Sequence, residues 1–371
     1  MSHLRVLFLL AAGLLLGAQP MFATTVVVGT CKPSLPSYPS ISQAVSSVPP
    51  GSTVEVCPGN YAEQVIISQP LTLKGLSSGN SSQAGITIPS GGLTAVSGLL
   101  TNLAAQVEVT AGPVNITNMI LDGSGGGNSC SSFLVGIYYA SGSSGTVSGS
   151  TVRNEINSGC GFGIWAENGA GTNESVTLED NSIHAMDDIA IIAFSNQSSP
   201  TLTATIKGNY IESGGGEGIF FGFAGTIAGS VTGNFVTSNG GCGQFCSVFE
   251  SEGGIGSIGI SDSAPSTTIS GNTVTGYQLG IVANGAGTTV TSNKILNSTA
   301  EGIALGASGL TVQSNTIANS SYVGIEFGCQ TGNTVARNTI IEAAIGLDRV
   351  PSGFLGANIF DTVFTNSTGG C

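Results

Sequence analysis

Charge is scarce in this chain. Asp, Glu, Lys and Arg make up only 8% of it, against about a quarter of an ordinary globular domain. Basic residues are the scarcest: 8 Lys and Arg face 21 Asp and Glu, a formal net charge of −13. A phosphate-binding surface needs a stripe of Lys and Arg, so nucleic acid is excluded as a partner. Aromatic residues are also few, at 6%, with one Trp, and only two His are present. Disorder requires low hydrophobicity with high charge. Here 40% of residues are hydrophobic and mean hydropathy is +0.33, so a disordered chain is excluded.

Long apolar runs are missing too. The longest, Val6 to Gly17, follows Arg5 and precedes Met21-Phe22-Ala23. It falls short of the ~20 residues that span a bilayer. A basic start, a short apolar stretch and a small-residue site form an export signal. Residues 1–23 are therefore expected to be a signal peptide and residues 24–371 a single exported domain, secreted, periplasmic or surface-associated. The chain is expected to act as a monomer without a transmembrane segment. Export makes the 8 Cys readable as disulfides. The expected pairs are Cys31–Cys57, Cys130–Cys160, Cys242–Cys246 and Cys329–Cys371. No His pair accompanies Cys242 and Cys246, so no zinc site is expected there.

What the chain has in excess is glycine, 57 of its 371 residues, and repetition. From Asn272 onward "GNTVTGYQLGIVANGAG", "SNKILNSTAEGIALGASG", "SNTIANSSYVGIEFGCQTG" and "RNTIIEAAIGL" are copies of one unit. Ile281, Ile303, Ile325 and Leu347 recur every 22 residues. Upstream, Asn154, Asn181, Asn209 and Asn234 open looser copies, with Ile164, Ile189 and Ile219 as their apolar marks. The segments alternate with period two, and Gly, Asn and Ser punctuate them. A unit this short cannot bury a face alone and must stack on its neighbours. The fold expected is all-β: a single-stranded right-handed parallel β-helix (a solenoid) of about 11–13 coils, with coils ~4.8 Å apart. The recurring Asn tolerates a left-handed corner and can hydrogen-bond the Asn of the next coil.

Ser40-Ile41-Ser42-Gln43 reads as a helix start, and Ile41, Ala44, Val45 and Val48 share one helical face. A short capping helix within an N-terminal cap of about residues 31–52 should cover the first coil. A C-terminal cap is expected at about residues 351–371. Two stretches exceed the repeat, Asn118–Asn154 and Asn234–Asn272, and insertions of this kind become loops on one face.

This organisation resembles the right-handed parallel β-helix proteins of the pectin-lyase-like superfamily. The opening "SISQAVSSVPPGSTVEVCPGNYAEQVIISQPLTLKG" is similar to the first coils of pectin methylesterases. The "GNTV…GI" units resemble a generic β-helix repeat that also occurs in the periplasmic copper-centre maturation family. The resemblance covers roughly residues 40–350 and implies the fold. It also implies the range of that superfamily: lyases, hydrolases, esterases, epimerases and adhesins. Met186-Asp187-Asp188 looks like the Asp-Asp segment of polygalacturonases, but the accompanying Asn-Thr-Asp, Gly-His-Gly and Arg-Ile-Lys segments are absent.

Aligning the copies on their Ile marks puts Asp187, Glu217 and Glu301 two residues before Ile189, Ile219 and Ile303. Asp187 and Glu217 would then lie on adjacent coils, where close carboxyls separate into an acid and a base. Asp187, Asp188 and Glu217 are thus candidate catalytic acids, with His184 assisting proton transfer. The same residues also read as a hydrated acidic column, or as a Ca²⁺ site. Tyr138, Trp165 and Phe220 each follow an inward Ile and should point outward, with Glu167 beside them, forming a sugar-stacking row. The strongly acidic chain opposes polyanions, so the partner expected is a neutral or lightly charged polysaccharide or cell-surface glycan. The sequence favours a protein that binds polysaccharide along its coils; the alternative is a polysaccharide hydrolase or lyase using the adjacent acids.

Overall fold

The computed structural model describes residues 22–371, except 78–82, 128, 170, 197–200, 214–215, 223–226, 239–256, 353, 355 and 371. The proposed export signal, Cys242–Cys246 and the partner proposed for Cys329 thus lie outside the described residues, wholly or in part.

One unit shows how the rest is made. Thr289–Thr291, Lys294–Leu296 and Glu301–Leu305 are three short strands separated by turns. Each pairs in parallel with its counterpart in the next coil: Thr311–Gln313, Thr316–Ala318 and Val323–Glu326. Among the described residues, repetition builds three parallel sheets, A, B and C, of 13, 12 and 13 strands. Apart from one antiparallel contact, Val96–Ser97 on Asn102–Val109, every pairing among the described residues is parallel. The solenoid is the right-handed parallel β-helix expected. Inward Val, Ile and Leu from the three sheets fill its axis as one continuous core.

The Asn column sits at the turn from sheet A to sheet B. Asn293 is typical. Its Oδ1 accepts from the backbone N–H of Asn272 at 3.0 Å and from the Asn272 side chain at 2.9 Å. Its Nδ2 donates to the Ile269 carbonyl and to Asn315 Oδ1. The pattern runs unbroken from Asn181 through Asn209, Asn234, Asn272, Asn293, Asn315 and Asn338 to Asn358. From Asn181 to Asn338 the left-handed corner belongs to the residue before the Asn, as at Gly208, Gly233, Ser292 and Ser314, and not to the Asn itself. Asn154 is no part of the column. Ser150 holds that place, its N–H donating to Asn181 Oδ1, while Asn154 makes a left-handed corner elsewhere.

The Gly-Ile mark also has a physical cause. A Cβ on Gly163, Gly218, Gly259, Gly280, Gly302 or Gly324 would lie only 2.2–2.8 Å from an inward Ile or Val methyl of sheet B. These glycines let sheets B and C close on each other. The inward partners in register are Ile164, Ile191, Ile219, Ile260, Ile281, Ile303, Ile325 and Leu347. Ile191, not Ile189, is therefore the core residue of its coil.

The first coil is covered by the helix Ile41–Ser47, whose Ile41, Ala44 and Val45 are buried. Ser40 caps it through the Gln43 N–H. Glu63, in the turn between strands Gly59–Ala62 and Val65–Ile67, accepts the next free donors, the N–H groups of Ile41 and Ser42, both at 2.8 Å. Cys31–Cys57 and Cys130–Cys160 are bonded as expected, and Cys329 is also in a disulfide. The tail does not leave the repeat at residue 351. Ile359–Asp361 and Thr365–Gly369 add one more rung to sheets B and C.

Replacing Asn293 by Ala removes the acceptor of a buried backbone N–H and opens the column on both sides. A buried polar group left without a partner costs about 1–3 kcal/mol. Asn293→Ala should therefore lower the free energy of unfolding by at least about 2 kcal/mol. Asn358→Ala, at the end of the column, should cost less. Equilibrium denaturation of the two variants measures both.

Candidate functional site

Sheet C carries the longest strands, and the first insertion leads into one of them, Phe133–Tyr139. Its outward row runs Tyr138, Trp165, Ile192, Phe220, Ser261, Val282, Ala304, Glu326 and Asp348, in register from coil to coil. The expected row of Tyr138, Trp165 and Phe220 is therefore real, but it is not an open platform. Tyr138 is 2% exposed and Trp165 1%. They belong to a second apolar cluster outside the sheet, together with Phe162, Ile189, Ile192 and Phe194. Val96, Leu99, Cys130 and Phe133 pack over it. Phe133 stacks on Phe162 with ring centroids 4.9 Å apart, and Phe162 meets Trp165 edge-on at 5.2 Å. Only Phe220 stays half-buried.

Glu167 ties this cover down. Its carboxyl accepts from the Tyr138 hydroxyl, from Trp165 Nε1 at 3.0 Å and from the Leu99 N–H at 3.1 Å. Burial pushes its pKa up, and these three donors pull against that. Burying a carboxyl is tolerable when its acceptor sites are filled in this way. Tyr138, Trp165 and Glu167 thus fasten a covering segment in place of presenting a sugar face. Alternation fixes the direction of a side chain. It does not reveal what a distant segment lays on top.

The acids also fall differently from expectation. Because Ile191 is the core residue, Ile189 and not Asp187 lies beside Glu217. Asp187 Oδ2 accepts from the N–H groups of Asn157 and Gly159, both at 2.8 Å, and so holds a turn. His184 lies on sheet B between Arg153 and Glu212, on another face of the solenoid. Asp188 and Glu217 do come together, close enough for the charge of Glu217 to raise the Asp188 pKa. Glu155, which sequence reasoning missed, joins the group near Asp187. No spacing marks it, because only the turn between sheets B and C brings it there.

Glu155, Asp188 and Glu217 are buried, and both oxygens of Glu155 and of Asp188, Asp187 Oδ1 and Glu217 Oε2 have no hydrogen-bond partner. Burial first, and neighbouring carboxylates second, hold Glu155 and Asp188 well above the usual carboxylate range. Burial alone puts Glu217 at about 8. Nearby Asp122 behaves oppositely. Against the upward push of burial, Ser124, Asn154 and the Arg153 guanidinium hold it at about 2. Among the described residues, no group of three or more His, Cys, Asp or Glu is arranged to hold a metal ion.

Farther along, the outward face of sheet C is open. A groove of about 450 Å³ runs over three coils. Val282 and Ala304 form an apolar floor between Gln278, Asn284, Glu301 and Glu326. Glu301 and Glu326 bring their carboxyl groups into hydrogen-bonding contact; burial first, and Glu326 second, push Glu301 up to about 8. Arg349 Nη1 lies 2.6 Å from Glu326 Oε1. Asp348 accepts from the Thr368 hydroxyl. Another cleft, between Phe327 and Phe354, has no ionisable side chain in its lining.

The fold is a right-handed parallel β-helix. Residues 249–368 match the family of periplasmic copper-binding protein (NosD). That segment contains no His, no Met and one Cys, Cys329, which is in a disulfide. Copper sites draw on imidazole, thioether or thiolate, so these residues do not fit copper. No match is found among curated proteins. Among solved structures, the chain is similar to a GH136 lacto-N-biosidase from Eubacterium ramulus at 12% identity and a TM-score of 0.66. The alignment covers 92% of this chain and 68% of that one. It is also similar to the catalytic domain of a GH87 α-1,3-glucanase in complex with nigerose, at 13% identity and a TM-score of 0.50. There the coverage is 94% of this chain and 65% of the other. At such identities the likeness concerns the fold.

The buried acids make stability depend on pH in a defined direction. The folded pKa of Glu217, about 8, exceeds the ~4.3 of an unfolded Glu. Its favourable contribution is complete below the unfolded value and is lost as pH rises through the folded one. Asp122, depressed to about 2, loses its contribution as pH falls through that value. The melting temperature should thus peak near pH ~4–5 and decline toward pH ~9. Glu217→Gln should flatten the alkaline limb, which a calorimetric pH series reads directly.

Proposed function

We propose that this protein binds polysaccharide outside the cytoplasm, in the groove on the outward face of sheet C. The observation that carries the reading is the pairing of an apolar floor, Val282 and Ala304, with amides and carboxyls along both sides. A pyranose ring has apolar faces and a hydroxyl rim, so it needs both kinds of surface at once. The groove follows the solenoid axis, which suits a linear chain. Two features support export: the basic-apolar-small pattern of residues 1–23 and the disulfides Cys31–Cys57 and Cys130–Cys160. Among the described residues no helix is long and apolar enough to cross a membrane. The sugar-cleaving names of the two structural neighbours are in keeping with the proposal.

Hydrolysis is a second reading, favoured by the unpartnered oxygens of Asp188 and Glu217. A carboxyl held above its normal pKa in a buried site can donate a proton near neutral pH.

A polysaccharide panel on the exported chain separates the two. Binding alone should appear as retention on one polymer, and Ala304→Arg, which fills the groove, should weaken it by about tenfold or more, or ~1.4 kcal/mol. Hydrolysis adds new reducing ends, which Asp188→Asn should abolish while retention persists. A panel without retention on any polymer rejects the proposal.

A further inference from the structure

The ion balance of the groove says more about its ligand than its shape does. Glu301 and Glu326 come from neighbouring coils, and their carboxyl groups are in hydrogen-bonding contact. Two carboxylates this close repel when both are ionised, so the pair favours a proton or another cation beside it. Asp348 stands on the next rung beside Glu326. Arg349 pairs with Glu326 from the rim, its side chain 57% exposed. Three acids thus converge on one base, in a protein whose net charge is already −13.

Building on the polysaccharide reading, we propose that the groove takes a glycan bearing free primary amines. One ammonium would sit between Glu301 and Glu326. An ammonium offers three donors and no acceptor, which matches two facing carboxylates. The sugar ring that carries it would lie on Val282 and Ala304, with Asn284 and Gln278 within reach of its hydroxyls. An N-acetylated sugar of the same size brings no charge to the pair. A polyuronate brings the wrong one. No carbon, nitrogen or oxygen bond of the ligand is made or broken: it enters as an ammonium, and the proton that burial and Glu326 keep on the Glu301 carboxyl leaves to solvent.

The test is titration calorimetry of the full chain at pH 6 and physiological salt. The probes are a glucosamine hexamer, its fully N-acetylated counterpart and a neutral glucan hexamer. Two buffers of different ionisation enthalpy reveal proton release. The glucosamine hexamer should bind about tenfold or more tightly than its N-acetylated form, a gap of ~1.4 kcal/mol, and should release protons. Glu301→Gln should close most of that gap and remove the proton release. Glu342→Gln makes the same substitution at an exposed site outside the groove, and should change neither. Equal affinity for the two glucosamine forms would overturn the inference and leave the polysaccharide reading standing. So would a preference that Glu342→Gln reduces as much as Glu301→Gln, since the overall field would then explain it. Binding of none of the three, with retention of another polymer in the panel, would overturn the inference alone. Failure of the whole panel would remove both.

Discussion

Everything in this molecule rests on one constraint: each coil must hydrogen-bond its neighbours at every backbone position, at a separation of ~4.8 Å. A turn that departs from the common path breaks pairing on both sides. The Asn column meets this demand where strands give way to corners. Asn293 there fills the orphan N–H of one coil while offering its own amide to the next. The glycines before the inward Ile meet it where sheets B and C converge. The two devices complement each other: one supplies hydrogen bonds that strands cannot make, the other removes atoms that strands cannot accommodate. Between them they explain why so short a unit can be repeated with so little charge.

The fold was legible because these devices are written in the sequence as spacing. Asn, Gly-Ile and the 22-residue period announce the coil directly. The slip at Ile189 shows where such legibility fails. In that coil alone among those compared, Ala190 stands in place of Gly, and the register of the preceding strand shifts between His184 and Met186. With the mark blurred, Ile189 and Ile191 compete for the core position, and spacing alone favours Ile189. Asp187 was misplaced along with it, and its apparent pairing with Glu217 went too.

The site was less legible for a different reason. Direction is local, since alternation along a strand sets it, and Tyr138, Trp165 and Phe220 do face outward as expected. Exposure is not local. Leu99 lies 68 residues from Glu167 in the chain, yet its N–H helps close the cover over Trp165. Glu155 and the contact of Glu301 with Glu326 were hidden in the same way. Each depends on which side chains turns and neighbouring coils bring together. In a solenoid the period tells what stacks on what, and the departures from it decide what is buried. The outer cluster around Trp165 follows from those departures.

The regular rungs of sheet C have one more consequence. From Phe220 through Ser261, Val282, Ala304 and Glu326 to Asp348, the outward row advances by one strand at a time. Distances along it therefore come in whole steps of ~4.8 Å, about 24 Å from end to end. Such a surface acts as a ruler. Gain or loss of one 22-residue coil by recombination would move two distant features apart or together by one division, and leave the chemistry of both untouched. Ligand length could then be tuned in evolution by counting, without redesigning any contact.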